Sequence, residues 1–200
     1  ARAFNISIAE DQARDIVTRW RSANPAVVGF WRDLEKSALD AILNEGTVYE
    51  AGEVSFFAPQ KASVLYLQLP SGRMLSYQKP FAREVEGPHG LQWEITALKP
   101  TWRPAQGQNY WPRVKLYGGL IAENATQGMA ADFLRRSIVE LDQLNWPVVA
   151  HTHDEIMVEV PDKEVPEASE ALKQVMLYVP KWSEGLPLNC ELWTGKRYRK

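Results

Sequence analysis

Two adjacent carboxylates, Asp154 and Glu155, follow His153 between two short apolar runs and are well placed to do chemistry. The runs at 148–150 and 156–160 are rich in β-branched residues and have the length of strands, which predicts a β-hairpin with a tight turn. Burying an unpaired carboxylate is costly. An acidic pair at the tip of an apolar hairpin therefore indicates a bound cation, a base or water.

A second polar group lies in the long helix predicted over 115–143. Glu123 and Gln127 are four residues apart, and Asn124 and Gln127 are three apart, so the three side chains share one helix face. Many Gly and Ala residues make this helix thin, so that a backbone or a ligand can approach it closely. The polar residues fit either a ligand site or an internal hydrogen-bond network.

The remaining elements predict an α+β fold. Ser7 is the expected N-cap of a first helix that runs to about Ser22, and Asn24 and Pro25 begin a second helix that ends near Gly46. Short strands follow over 47–112, a further helix is capped by Asp162, and a last strand is expected at 188–193. We expect one domain over 1–200, in which 47–112 is an insertion of strands and loops.

Charge is distributed unevenly along this chain of net charge −2. Residues 54–122 carry eight basic and three acidic side chains, and they include several aromatic residues, among them Trp93, Trp102, Tyr110, Trp111 and Tyr117. Such a stretch is typical of a surface that follows a phosphate backbone, although a solvated loop region with some buried aromatic residues has the same composition. No apolar run approaches the roughly 20 residues of a membrane span, and the single cysteine, Cys190, excludes an internal disulfide.

The helix segment 123–132, followed some twenty residues later by His153, Asp154 and Glu155, resembles the family A DNA polymerases, in particular their phage branch. The match implies an antiparallel palm-type sheet in which the motif C hairpin packs against long helices, after an N-terminal helical pair. It also implies template-directed DNA synthesis, with primer–template DNA and a deoxynucleoside triphosphate as partners, in the cytoplasm of a bacterial host and away from membranes.

The resemblance also assigns roles to individual residues. Asp154 would bind Mg²⁺ in a two-metal site, Glu155 would lie beside it as a secondary contact, and His153 would contact the primer backbone. Three helix residues would face the DNA minor groove or the templating pair, where hydrogen-bond acceptors are degenerate: Glu123, Asn124 and Gln127. Arg73 and Lys79 are weaker candidates for contacts with the DNA backbone.

Two parts of the family pattern do not occur in this sequence: the Asp-Tyr-Ser strand that carries the second metal-binding aspartate, and the Arg-x3-Lys-x7-Tyr-Gly helix that grips the triphosphate. We therefore expect a C-terminal polymerase portion that is inactive alone. Its partner would be the remaining portion of the polymerase, either in the same polypeptide or as a separate chain.

Two other classes of function stay open. The first is a palm-like module that binds DNA or protein without catalysis. The second is a metal-dependent hydrolase built on the His-x-His pair of His151 and His153, for which His89 is the one further histidine in the sequence.

Overall fold

The computed structural model describes residues 8–61, 63–87, 90–100 and 111–198. Contacts between residues divide the chain into two compact units. The first consists of Ala1–Gln68 with Met74–Glu123, and the second of Leu69–Arg73 with Asn124–Lys200. The mixed helices and antiparallel strands confirm the α+β class, whereas the single domain, the insertion at 47–112 and the palm assignment stay predictions.

The first unit begins with two helices, α1 (Glu10–Ala23) and α2 (Pro25–Leu43). The N-terminal helical pair is thus confirmed, and α2 starts at the proline where the sequence placed it. The predicted N-cap of α1 was wrong. Ser7 lies outside the described residues, and α1 starts two residues later than expected because Ala9 is its N-cap, with a main-chain N–H that donates to Gln12 Oε1 at 3.3 Å.

Six antiparallel strands follow in sequence order and form one sheet. They are β1 (Val48–Ala51), β2 (Val54–Phe57), β3 (Val64–Gln68), β4 (Met74–Gly87), β5 (Gly90–Leu98) and β6 (Arg113–Leu116). The predicted hairpin of β3 and β4 is confirmed, and it turns through Gly72, whose φ of +86° suits glycine.

Helix α2 packs against strands β1 to β4 and covers one face of this sheet. The interface buries Leu34 and Ala38 of α2 and Phe56, Leu65 and Leu67 of the sheet, all fully. Burying a large apolar side chain contributes about 1.5–3 kcal/mol, so this interface forms the core of the first unit.

Helix α3 (Gly118–Gln143) starts three residues later than predicted. Lys115 and Leu116 pair with Thr96 and Ile95 of β5, so the sheet takes the residues that helix periodicity had assigned to α3. The beginning of α3 lies very close to α2: a Cβ at Gly118 would be 1.9 Å from the carbonyl oxygen of Trp31. Only glycine fits this position.

The second unit contains the remainder of α3, a two-stranded sheet of β7 (Val148–Thr152) and β8 (Glu155–Val158), and α4 (Val165–Leu177). Helix α4 follows a 3₁₀ turn at Asp162–Glu164, and a second 3₁₀ turn spans Lys181–Ser183. A tilted contact between the rings of Phe133 and Trp182, whose centres lie 4.6 Å apart, contributes to the packing of this unit.

The predicted last strand at 188–193 was wrong, because these residues form no regular secondary structure. The segment Leu188–Trp193 alternates apolar and polar residues as a strand does, but a strand needs a neighbour to satisfy its main-chain groups. Within the described residues, no strand pairs with it.

Candidate active-site hairpin and preceding helix

The hairpin of β7 and β8 places its two turn residues, His153 and Asp154, at the tip. Thr152 pairs with Glu155 at the base of the turn, so the carboxylates stand on adjacent positions at the end of a short ladder whose register shifts between Val148 and Ala150, away from the turn. His153 has a φ of +52°, which is uncommon outside glycine but more frequent for His than for most residues. The predicted hairpin is confirmed, and its backbone holds His153, Asp154 and Glu155 together.

Both carboxylates are exposed, as are His151 and His153. Because most of β7 is exposed as well, the hairpin does not bury the acidic pair, and the cost of burial gives no argument here for a bound cation. Glu155 accepts a hydrogen bond from the Tyr198 hydroxyl at 3.0 Å. This bond raises the pKa of Tyr198 above its ordinary value, because loss of the phenol proton would place a second negative charge beside the carboxylate.

The geometry of Asp154 suits one ligand position of a magnesium ion. Magnesium takes hard oxygen ligands from one or two carboxylates, together with water and phosphate oxygens. In the part of the chain that the structure describes, no group of three or more His, Cys, Asp or Glu side chains is arranged to hold a metal. The assignment of Asp154 to a metal site therefore stays a prediction, and within the described residues only Glu155 stands next to it as a further carboxylate on the turn.

The polar residues of α3 lie within a continuous helix, as predicted. Glu123 and Gln127 are exposed one turn apart, while Asn124 is half-buried. The buried face of the helix contains Ile121 and Ala125, and neither Glu123 nor Gln127 belongs to it. Glu123 and Gln127 can thus contact a ligand without leaving a core position.

Arg73 is engaged within the second unit. Its Nε donates to the Asp132 carboxylate and its Nη2 donates to the Gly128 carbonyl at 2.6 Å, while Ser71 Oγ donates to Asp132 at 2.5 Å. The side chain of Asp132 is only 9% exposed. Asp132 is thus a structural hydrogen-bonding residue, and Ser71 and Arg73 are its partners.

Lys79 lies in the first unit, at a bulge in β4. Gln78 pairs with Leu98 and Phe81 pairs with Thr96, so that β4 has one residue more than β5 at this point. Lys79 takes up the irregularity with a φ of +46°, its side chain is exposed, and its carbonyl accepts a bond from Arg113 at 3.0 Å. The bulge directs a cation away from the regular ladder.

The structure adds two residues that the sequence did not single out. A basic C-terminal tail is typically solvated, yet Tyr198 contacts Glu155 and Lys196 forms an ion pair with Asp162. Forty-three residues separate Tyr198 from Glu155, so no local spacing signals the contact.

Comparison with known proteins relates this chain to viral replication enzymes. It is 31% identical over 198 residues to a DNA polymerase of Bacillus phage SP02, a match that covers 99% of this chain and 29% of the relative. No protein-family model and no solved structure matches the chain.

The chain is thus homologous, over nearly its whole length, to a portion of a phage DNA polymerase. The predicted resemblance to a phage-type DNA polymerase is confirmed by this relationship, and the chain spans less than a third of the relative's length. Within the described residues, no helix is long and apolar enough to cross a membrane.

Proposed function

We propose that this chain is the C-terminal part of a family A DNA polymerase, which extends a primer on a DNA template by two-metal nucleotidyl transfer. The observation that carries the proposal is the exposed Asp154, fixed at the tip of a hairpin, in a chain homologous to a phage DNA polymerase. A module that only binds DNA, without catalysis, needs no exposed carboxylate at the tip of a hairpin.

In the proposed reaction, the primer 3′-oxygen bonds to the α-phosphorus of the nucleotide, the bond to pyrophosphate breaks and the hydroxyl proton passes to water. Bound Mg²⁺ would favour the ionised 3′-oxygen and neutralise the charge of the departing pyrophosphate. Asp154 supplies one carboxylate ligand, and Glu155 stays beside it through its bond to Tyr198. His153, on the same turn, contacts the primer backbone.

Helix α3 provides the second set of contacts. Glu123 and Gln127 are exposed at helix spacing and contact minor-groove edges, where acceptors lie in similar positions for every base pair. Asn124, half-buried on the same helix face, lies beside these two residues. Of the two weaker candidates, Lys79 is exposed for a phosphate contact, whereas the charge of Arg73 is already compensated by Asp132.

The chain alone is inactive in this proposal, because a second aspartate and a triphosphate-binding helix come from the remaining portion of the polymerase. Asp154 then needs that portion to complete its metal site.

A chimera tests the proposal directly. This chain replaces the matching 29% of the phage SP02 polymerase, and primer extension is measured for the chimera and for the chain alone. We expect extension by the chimera and none by the chain. A folded chimera without activity, or extension by the isolated chain, contradicts the proposal.

The hydrolase alternative has less support. His151 and His153 are both exposed on the hairpin, but the third histidine, His89, lies outside the described residues. Among those that are described, no metal-ligand group of three or more is present.

A further inference from the structure

The sheet of the first unit has one face that α2 does not cover. Strand register places Val48 opposite Phe57 and Phe57 opposite Tyr66, so these side chains form one row across β1, β2 and β3. The next row, which includes Phe56 and Leu67, points to the other side and is fully buried beneath α2. We call the side that bears Val48, Phe57 and Tyr66 the open sheet face.

The β1–β4 half of the open sheet face forms a shallow apolar groove of about 160 Å³. Tyr66 and Phe57 are half-buried in it and form a cross-strand aromatic pair, while Val48 and Met74 at its sides are 57% and 51% exposed. The groove is lined by Val48, Ser55, Phe57, Tyr66, Gln68 and Met74. Two aromatic rings are thus only partly covered in this groove, which is unusual for side chains that serve only a core.

The β4–β6 half of the open sheet face is basic. Strand alternation places Arg83, Arg113 and Lys115 on this face, and the bulge at Lys79 lies beside them. Glu94 is the acid in their midst, and it bonds to Arg83 at 2.7 Å and lies 3.7 Å from Lys115. Three cations therefore share this half of the face with one carboxylate, and the exposed Lys79 lies next to them at the bulge. On the β1–β4 half, the pairing of Glu50 with Ser55 places a second, exposed carboxylate on the open sheet face.

A third aromatic ring lies within this basic half. Phe81 is 51% exposed, and the guanidinium carbon of Arg113 lies 5.9 Å from its ring centre. Thr96 pairs with Phe81 across the strands. Arg113 Nη1 donates to Thr96 Oγ1 at 3.1 Å and to the Lys79 carbonyl at 3.0 Å, and these bonds hold the guanidinium in place. Ser76 of β4 is the strand partner of Tyr66. Phe81 lies five residues further along β4, a distance of about 15 Å along the strand.

We propose that the open sheet face binds single-stranded DNA, with bases stacked on Tyr66 and Phe81 and phosphates facing Arg113 and Lys115. The exposed ring of Phe81 and the half-buried ring of Tyr66, on a face that also carries cations, match the two components of a single strand. Every base has a stacking face and every nucleotide has a negative charge. A duplex keeps its bases stacked on one another, out of reach of a flat sheet. An apolar peptide carries no negative charges that would pair with the cations of this face. Binding here needs neither Asp154 nor a primer terminus and goes beyond the proposed polymerase reaction.

The test uses the whole 200-residue chain and a fluorescein-labelled oligo(dT) of about 16 nucleotides, the upper site size of known single-strand-binding folds. Fluorescence anisotropy gives the Kd at two salt concentrations. We expect Phe81→Ala and Tyr66→Ala each to weaken binding about 10-fold. Trp93→Ala is the matched control, because Trp93 lies on the opposite face of the same strand pair and is 40% exposed.

Charge variants separate phosphate contacts from stacking. Lys115→Gln should lower the slope of log Kd against log salt by about 0.7, the value for one phosphate contact on a single strand. Lys173→Gln, which removes an exposed lysine of α4, should leave the slope unchanged. Circular dichroism of each variant confirms that it is folded.

Several results overturn the proposal: no binding of oligo(dT), equal binding of a duplex of the same length, or an unchanged Kd in the folded Phe81→Ala variant. The chain could instead form a dimer that the Phe81→Ala substitution dissociates and that oligo(dT) leaves intact. That result would assign the open sheet face to contact with a second copy of the chain. Asp154→Ala should bind oligo(dT) normally, so that failure of this proposal and failure of the polymerase proposal are distinguishable.

Discussion

Replacing Gly118 by alanine gives a sharp test of the packing that starts α3. The added Cβ would lie 1.9 Å from the Trp31 carbonyl oxygen, and contacts below 3.0 Å essentially never occur, so the two main chains must separate by about 1 Å. Overpacking of this kind costs about 1–3 kcal/mol. The shift also threatens the bond from the Gly118 N–H to Glu35 Oε2, 3.0 Å long, which contributes about 1 kcal/mol.

We expect Gly118→Ala to lower the free energy of unfolding by about 2–4 kcal/mol, measured by urea denaturation with circular dichroism. The matched control is Gly29→Ala. Gly29 is also helical, but a Cβ there meets no atom within 4 Å, so alanine should stabilise the protein by about 0.5–1 kcal/mol. A Gly118→Ala protein within about 0.5 kcal/mol of wild type, or equal shifts for both variants, would refute the close approach of α2 and α3.

Two further predictions concern the second unit. Asp132→Ala should lower the free energy of unfolding, measured by urea denaturation, by about 2–3 kcal/mol, because it leaves Arg73 without its partner in a partly buried site. The control is Asp142→Ala, at an exposed position, which should change the free energy of unfolding by less than about 0.5 kcal/mol. Tyr198→Phe should reduce stability below about pH 10, the ordinary pKa of tyrosine, and this difference should vanish as the pH rises through the raised pKa of Tyr198, since the phenolate cannot donate to Glu155. A difference that persists at high pH would show that Tyr198 stabilises the fold through packing alone.

Local sequence signals predicted the elements that local chemistry determines. Asn24 and Pro25 mark the junction of the first two helices, and the β-branched runs around Asp154 define the hairpin, because caps and strand periodicity act over a few residues. Where tertiary pairing competes, the local signal failed. Lys115 continues a helical pattern but pairs with β5, and Leu188–Trp193 has strand composition without a partner strand in the described residues.

The candidate site divides in the same way. His153, Asp154 and Glu155 are neighbours in sequence, so their proximity follows from the hairpin alone. The contact of Arg73 with Asp132 spans 59 residues, and no periodicity connects the two positions. The same holds for the open sheet face, since composition indicated a basic, aromatic stretch but only strand register separates its exposed side from its buried one.

The measurement that tests the central claim most directly is primer extension by the chimeric polymerase with Asp154→Asn, compared with Asp142→Asn. Asparagine keeps the size of the side chain but removes the negative charge by which a carboxylate binds magnesium strongly. The account predicts a loss of more than about 100-fold for Asp154→Asn, since even groups outside the ligand sphere cost about 10–100-fold, and near-normal extension for Asp142→Asn. Retention of activity by a folded Asp154→Asn chimera would contradict the assignment of Asp154 to the metal site.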